Sequence, residues 1–290
     1  MGTITAVILR ILSNPLGNFF QKRLSMRGCH PFLINSAVFF LLGLVCVFPA
    51  LSVNWRSFPQ EFWGYSVLVG IFGAVGNAAL VKALQSGELS VLGPMNAWKS
   101  IVGMIFAFFL LREIPTAAGL AGIGLIVLGS DLLFDVSEKK FSFWLLADES
   151  GIALRLLAMI LAAVEAVFIK KVILFSDPTT ALCVWCWFGS FFSALSVLIL
   201  KIDLKKQAAG IGLRDARDGL LLVLCIGTMQ WMTNEVFARL DIGVSLALFQ
   251  LSAGVSILLG WRFFRERRPR RKLAAAAVMI AGSALILLYG

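Results

Sequence analysis

Long apolar segments recur along the whole chain and are separated by short charged or Pro/Gly-containing breaks. A helix needs about 20 apolar residues to cross the hydrocarbon core of a bilayer. The pattern therefore predicts an all-α integral membrane protein with ten transmembrane helices. Segments of spanning length lie at 3–21, 31–53, 60–85, 89–111, 116–135, 151–173, 178–200, 217–239, 242–264 and 271–289.

The composition excludes a water-soluble enzyme. Hydrophobic residues make up 59% of the 290 residues, charged residues only 14%, and the mean hydropathy is +0.90. A soluble domain carries about 25% charged residues. The excess of 26 Lys+Arg over 16 Asp+Glu lies in short runs between apolar segments, which is typical of membrane-flanking loops, so no nucleic-acid partner is expected. Cys183 and Cys186 lie inside an apolar segment and are interpreted as buried helix residues, and we predict no metal or cofactor.

An internal repeat relates the two halves of the chain. The segment FFLLREIPTAAGLAGIGLIVLGS (108–130) aligns without a gap on WRFFRERRPRRKLAAAAVMIAGS (261–283). An odd number of helices in each half makes the halves insert in opposite orientations, as in the inverted repeats of secondary transporters. We therefore predict two inverted five-helix repeats, at 1–136 and 150–290, joined by a charged linker at 137–149.

These residues resemble the EamA-type branch of the drug/metabolite transporter superfamily. In each half, one helix ends at an Arg-Glu pair and the next, Gly-rich helix closes on Gly-Ser. The stretches NFFQKRL (18–24) and AVFIKKV (166–172) resemble the end of the family's first helix. The resemblance covers nearly the whole chain and implies a cavity lined by the first, third, fourth, sixth, eighth and ninth helices. It leaves the substrate open, and the polar stretch GPMNAWKS (93–100), which departs from the apolar pattern expected there, is a candidate for specificity.

Loop charges predict the orientation in the membrane, since cytoplasmic loops carry an excess of Lys and Arg. Basic loop residues concentrate on the side opposite the termini, at 22–27, 139–140, 201–217 and 262–272. The two termini are therefore predicted outside the cytoplasm of a multi-pass protein of the cell inner membrane, whereas many family members are thought to keep both inside. On the side of the termini we find only Arg56, Arg112, Lys170, Lys171 and Arg239.

Polar residues within the apolar segments are candidate substrate contacts, because a charge at bilayer depth costs at least ~2.5–3.5 kcal/mol. Lys99 is the strongest candidate, since it lies near the middle of the fourth segment, too deep for its side chain to reach the interface. The predicted substrate-binding residues are Lys99, Asn96, Glu165, Glu235, Asn14, Asn77, Gln230, Trp231 and Gln250, with Lys82 and Asn234 as gating residues and Pro94 as a helix kink.

Structural roles are the alternatives for several polar residues. Lys99 could simply bond a neighbouring carbonyl or carboxylate, and Glu165 could pair with Lys170 about one turn away. Arg10 lies nearer a helix end and is expected to extend to the interface. Trp185 is expected at the aromatic belt or the lipid-facing surface.

The sequence favours a secondary transporter that moves a small polar or zwitterionic, amino-acid-like metabolite by alternating access. No G-x-x-x-x-G-K-[ST] loop occurs, so the driving force would be a substrate or proton gradient. A flippase for lipids or amphiphiles is an open alternative, and a membrane enzyme is disfavoured because His30 is the single histidine and the acids are scattered. The partners expected are the bilayer and a small solute, and a monomer and a homodimer both fit.

Overall fold

The computed structural model describes residues 2–86, 98–114, 116–136, 150–203, 207, 212–265 and 269–289, and these residues form helices and no strand. The predicted linker at 137–149 lies outside the described residues. The helices are α1 (Thr3–Met26), α2 (Pro31–Val45), α3 (Val47–Ala50), α4 (Gln60–Ser86), α5 (Trp98–Leu111), α6 (Ala117–Val136), α7 (Ser150–Phe175), α8 (Pro178–Ile199), α9 (Leu213–Phe237), α10 (Ile242–Phe249), α11 (Ser252–Phe264) and α12 (Pro269–Tyr289).

Several described helices have the length and apolar composition of membrane spans. Four helical stretches are both long enough and apolar enough to cross a bilayer: Gln60–Gln85, Pro178–Ile199, Leu213–Phe237, and Ile242–Phe264, which comprises α10 and α11. The prediction of an all-α fold with apolar spans is confirmed, whereas the number of ten transmembrane helices stays a prediction. Shorter apolar helical stretches occupy Pro31–Val45, Trp98–Leu111, Ala117–Ile126 and Leu273–Gly282.

Local sequence signals explain where some of these helices begin. The side chain of Asp177 accepts hydrogen bonds from the backbone N–H groups of Thr179 and Thr180, and Pro178 occupies the first position of α8. A carboxylate at this position satisfies N–H groups that have no partner inside the helix, and proline lacks an N–H there. Pro31 begins α2 in the same way. Short loops can therefore connect helices that lie side by side.

Helices of one half pack on helices of the other in matched pairs. α4 is the third predicted transmembrane helix of the first half, and it packs along α7, the first of the second half. Conversely α1, the first of the first half, packs along α9, the third of the second half. Helices that occupy the same place in the order of the two halves also contact each other: α2 contacts α8, α5 contacts α10, and α6 contacts α12. This exchange of partners is the arrangement expected when a two-fold axis relates two repeats.

The repeated Arg-Glu pairs coincide with an unusual backbone conformation. Arg112, just after α5, has φ of 60°, and Arg265, just after α11, has φ of 55°. Among the described non-glycine residues, positive φ occurs only at these two positions and at Lys201. A residue in the left-handed conformation ends a helix, because it turns the chain away from the helix axis. Residues other than Gly, Asn and Asp rarely adopt this conformation. The alignment of 108–130 with 261–283 therefore extends to the backbone.

Trp185, on α8, lies in the core and contacts residues of α2, α4 and α7. It is 2% exposed, and its ring lies 4.5 Å from that of Phe39. The expectation that Trp185 faces lipid is therefore wrong, because the face of α8 that carries it packs against α2 and α4. Cys183 and Cys186, on the same part of α8, are fully buried, which confirms their interpretation as core residues.

Candidate functional site

A cavity of about 90 Å³ lies at the centre of the helices. Charged and amide side chains line it together with Trp185, Phe237 and Phe249. Both halves contribute, because α1, α4 and α5 belong to the first and α7 to α11 to the second. The polar lining residues are Arg10, Asn14, Asn18, Asn77, Lys99, Arg155, Glu165, Gln230, Thr233, Gln250 and Ser252.

Glu165 supplies the single carboxylate among the described lining residues. Its Oε1 accepts a hydrogen bond of 2.6 Å from Nε1 of Trp185. A Cβ added at Gly73 would lie 2.6 Å from the same oxygen, so the absence of a side chain on α4 makes room for the carboxylate. Trp185 and Gly73 thus position Glu165 from two sides.

Lys170 forms its ion pair with Glu113, so the alternative in which Glu165 pairs with Lys170 is not the arrangement found. Lys170 Nζ lies 2.5 Å from Oε1 of Glu113 and 3.0 Å from the carbonyl oxygen of Leu240. The other oxygen of Glu113 accepts a hydrogen bond of 2.9 Å from the backbone N–H of Ile242. The Glu113 carboxylate therefore ties the end of α7 to the start of α10, at the end of the bundle where α5, α7 and α9 finish.

Arg10 lies in the cavity, and the expectation that its side chain extends to the interface is wrong. The residue is 8% exposed, Nε donates a hydrogen bond of 2.7 Å to Oγ1 of Thr233, and the guanidinium carbon lies 4.5 Å from the ring centre of Phe249. The packing of α1 along α9 directs Arg10 inward. The location of Arg10 is therefore set by the face of α1 on which it lies and not by its distance from the helix end.

Lys99 and Arg155 add two more positive charges to the cavity. Lys99 lies in the first described turn of α5, and Arg155, on α7, is 2% exposed. Arg155 is not among the predicted site residues, because it lies close to the start of its apolar segment. A usable signal existed: stepping back from Glu165 by three or four residues leads through Ala162 and Ala158 to Arg155, and all four line the cavity.

Five amides among the described residues line the cavity, and Asn14, Asn77, Gln230 and Gln250 among them were predicted substrate contacts. Gln250 stands at the junction of α10 and α11, where the backbone N–H groups of Gln250 and Leu251 bond to carbonyls three residues back. Gln250 Nε2 donates to the carbonyl oxygen of Leu246 at 3.1 Å. A tightened helical turn with polar side chains therefore faces the cavity.

Other predicted residues lie apart from the cavity lining. Trp231 is 46% exposed, and Glu235 forms an ion pair of 2.6 Å with Arg239, which lies in the turn that follows α9. Asn234 is buried beside the cavity, where it accepts a hydrogen bond from Gln230 and donates one to the carbonyl oxygen of Pro178. Asn96 and Pro94 lie outside the described residues.

Lys82 lines a second pocket of about 450 Å³ with His30 and Gln85. Burial lowers the pKa of His30, and the charge of Lys82 lowers it further.

An ion pair connects the end of α1 to α9. Arg27, just after α1, donates a hydrogen bond of 2.8 Å to Asp215, and this contact raises the pKa of Arg27. These contacts tie the end of α1 to the start of α9, at the opposite end of the bundle from Lys170.

The apolar helices and the buried charged cavity define a polytopic membrane protein with an internal polar site. The profile of the EamA-like transporter family matches residues 3–134 and again 149–288. The chain therefore belongs to the EamA-like transporter family of the drug/metabolite transporter superfamily and is a multi-pass membrane protein.

Two further comparisons bear on the fold. No curated protein sequence matches this chain significantly. One similar solved structure, described only as the crystal structure of a protein, has a TM-score of 0.72 at 18% identity and covers 98% of this chain and 95% of that chain. At that identity the likeness shows a shared fold.

Proposed function

We propose that this protein is a secondary transporter that moves a small polar solute through the central cavity by alternating access of the two halves. The observation that carries the proposal is the cavity itself, where Arg10 and Asn77 of the first half face Glu165 and Gln230 of the second. A solute held between two halves is released to one side or the other as they move against each other.

Burial of the charged residues supports a solute carrier over a flippase. Arg10 and Glu165 are each 8% exposed and Arg155 is 2% exposed. Charges in a membrane protein are expensive unless they face the bundle interior, a water-filled cavity or a partner. A flippase would need its polar path to open towards lipid, whereas these side chains point into the protein.

The driving force that we propose is a gradient of the solute or of protons. Glu165 is the candidate proton carrier, because it is the one carboxylate among the described lining residues. We propose no catalytic activity, since the family is one of transporters.

The proposal is tested with purified protein, first by ligand-dependent melting and then by uptake into liposomes. A true substrate binds the folded protein and raises its melting temperature. We expect at least one small charged solute to stabilise the protein and to enter protein-containing vesicles faster than protein-free vesicles. If solutes of every charge class leave both readings unchanged in folded protein, the transporter proposal is wrong.

A further inference from the structure

The charge of the cavity points to the chemical class of the solute, and this inference rests on the proposed function. Arg10 and Lys99 are basic lining residues, whereas Glu165 supplies the one acidic group among the described lining residues. Uncompensated charge is costly at bilayer depth. A zwitterion brings no net charge and would leave the excess of positive charge in place, whereas an anion reduces it.

Arg10 is held in place with one donor unused. Its Nε bonds Thr233 and its planar group lies on Phe249, so the guanidinium is fixed from α9 and α10. Its Nη1 is buried and has no hydrogen-bond partner. A buried donor without a partner costs roughly 1–3 kcal/mol. The guanidinium is already held in place and its Nη1 lacks an acceptor, so Nη1 is well suited to donate to a carboxylate or phosphate oxygen.

The carboxylate of Glu165 is engaged within the protein. It accepts the hydrogen bond from Trp185 and fits against Gly73. One oxygen of the carboxylate that the ammonium group of a zwitterionic solute would need therefore already accepts a hydrogen bond from the protein. Among the described cavity-lining residues, Nη1 of Arg10 is the one buried side-chain polar atom without a hydrogen-bond partner.

We propose that the cavity binds a small organic anion with net negative charge, a dicarboxylate or a phosphate monoester, and that Arg10 Nη1 holds one of its oxygens. Lys99 supplies a second positive charge beside the solute. Thr233 and Phe249 are positioning residues that act through Arg10.

The test uses solutes of similar size and different charge. Glutarate, glutamate, glutamine and cadaverine share five carbons and run from a dianion to a dication, and glycerol 3-phosphate is compared with glycerol. In liposomes that contain the wild-type protein, we expect uptake to fall in the order glutarate, glutamate, glutamine, cadaverine. The difference between glutarate and glutamine should be on the order of tenfold or more, as for desolvated charge pairs. The phosphate pair distinguishes a phosphate site from a dicarboxylate site.

Three variants test the role of Arg10. Arg10→Gln should remove most of the preference for anions, and Arg10→Lys should restore part of it, since an ammonium keeps the charge and loses the fixed fork. Arg56→Gln is the matched control, because Arg56 is exposed in the turn Trp55–Ser57, and it should leave the preference unchanged. If the Arg10 variants do not fold, Thr233→Val removes the bond to Nε and should weaken anion uptake several-fold.

The outcomes separate this inference from the proposed function. Uptake of glutamine or cadaverine that equals or exceeds uptake of the anions would overturn the anionic class and leave a transporter in place. An anion preference that survives both Arg10→Gln and Thr233→Val would overturn the role of Arg10. Loss of transport for every solute, in protein that is folded and inserted, would overturn the proposed function itself.

Discussion

Gly129 and Gly282 make reciprocal contacts across the pair of helices α6 and α12. A Cβ added at Gly129 would lie 2.9 Å from the carbonyl oxygen of Ala275, and one added at Gly282 would lie 2.5 Å from that of Gly122. Gly122 and Ala275 occupy equivalent positions in the two halves, separated by the same 153 residues as the two glycines. As the contact moves towards the end of α6, it moves towards the start of α12, so the two helices run in opposite directions. Equivalent helices are antiparallel when the repeats are inverted.

The first prediction is that replacing either glycine by alanine lowers the free energy of unfolding by a similar amount. Gly129→Ala and Gly282→Ala should each destabilise the protein by roughly 1–3 kcal/mol, because the methyl group meets the facing backbone. The control is Gly124→Ala on α6, where a Cβ meets nothing within 4 Å, and it should be neutral or stabilising. Unfolding in detergent, followed by helical signal, measures all three. Equal stability of the three variants would contradict the reciprocal packing.

The second prediction concerns two tryptophans with opposite environments. Trp185→Phe keeps an aromatic ring and removes the N–H that bonds Glu165, so transport should fall roughly tenfold, as for loss of a hydrogen bond to a charged group. Trp231→Phe changes a half-exposed ring outside the cavity lining and should leave transport within about twofold. The measurement is the initial uptake rate of each variant at matched protein levels. A larger loss in Trp231→Phe than in Trp185→Phe would contradict the prediction and place the solute path beside Trp231.

The third prediction is that Lys170 and Glu113 act as one unit. Each side chain is less than one-sixth exposed, at 13% and 15%. Lys170→Met and Glu113→Gln should each cost roughly 1.5–3 kcal/mol, and the double variant should cost clearly less than their sum. Lys171→Met, the adjacent change on α7, is the control and should cost about 0.5 kcal/mol or less. Additive losses in chemical unfolding would show that the two residues stabilise the protein independently.

The fourth prediction concerns the orientation in the membrane. A reporter fused after Gly290 should be extracytoplasmic, because basic loop residues concentrate on the side opposite the termini. A pair of reporters that are active on opposite sides of the membrane measures this. A cytoplasmic signal from a transport-active fusion would reverse the orientation.

Apolar composition predicted the all-α fold with apolar helices, and the ungapped alignment predicted the repeat, which agrees with the two matches of the family profile at 3–134 and 149–288. The number of ten transmembrane helices stays a prediction. Apolar length places the helices, and the ungapped alignment that pairs Arg112 with Arg265 anticipates their shared left-handed backbone. Polarity at depth also placed Lys99 and Glu165 among the candidates, and both line the cavity. These features need no knowledge of which helices touch.

The remaining site residues depend on helix partners, which one sequence does not give. Arg10 was assigned to the interface by its depth, although α9 and α10 hold it in the cavity. Trp185 was assigned to lipid, although α8 presents it to Glu165. Glu235 is a predicted substrate contact, although Arg239 in the turn after α9 forms an ion pair with it. In each case the environment of the side chain depends on the face of the helix that carries it. Which face points inward depends on how the helix packs against its neighbours.

The central claim is that the solute passes through the charged cavity, and counterflow in proteoliposomes with Lys99→Ala tests it most directly. Vesicles are loaded with the best-transported unlabelled solute of the charge series, and accumulation of the labelled solute is followed without any other gradient. Wild-type protein should accumulate label transiently, and Lys99→Ala should lose this accumulation while its melting temperature stays within a few degrees of wild type. Near-normal counterflow by Lys99→Ala at equal protein level would contradict the claim.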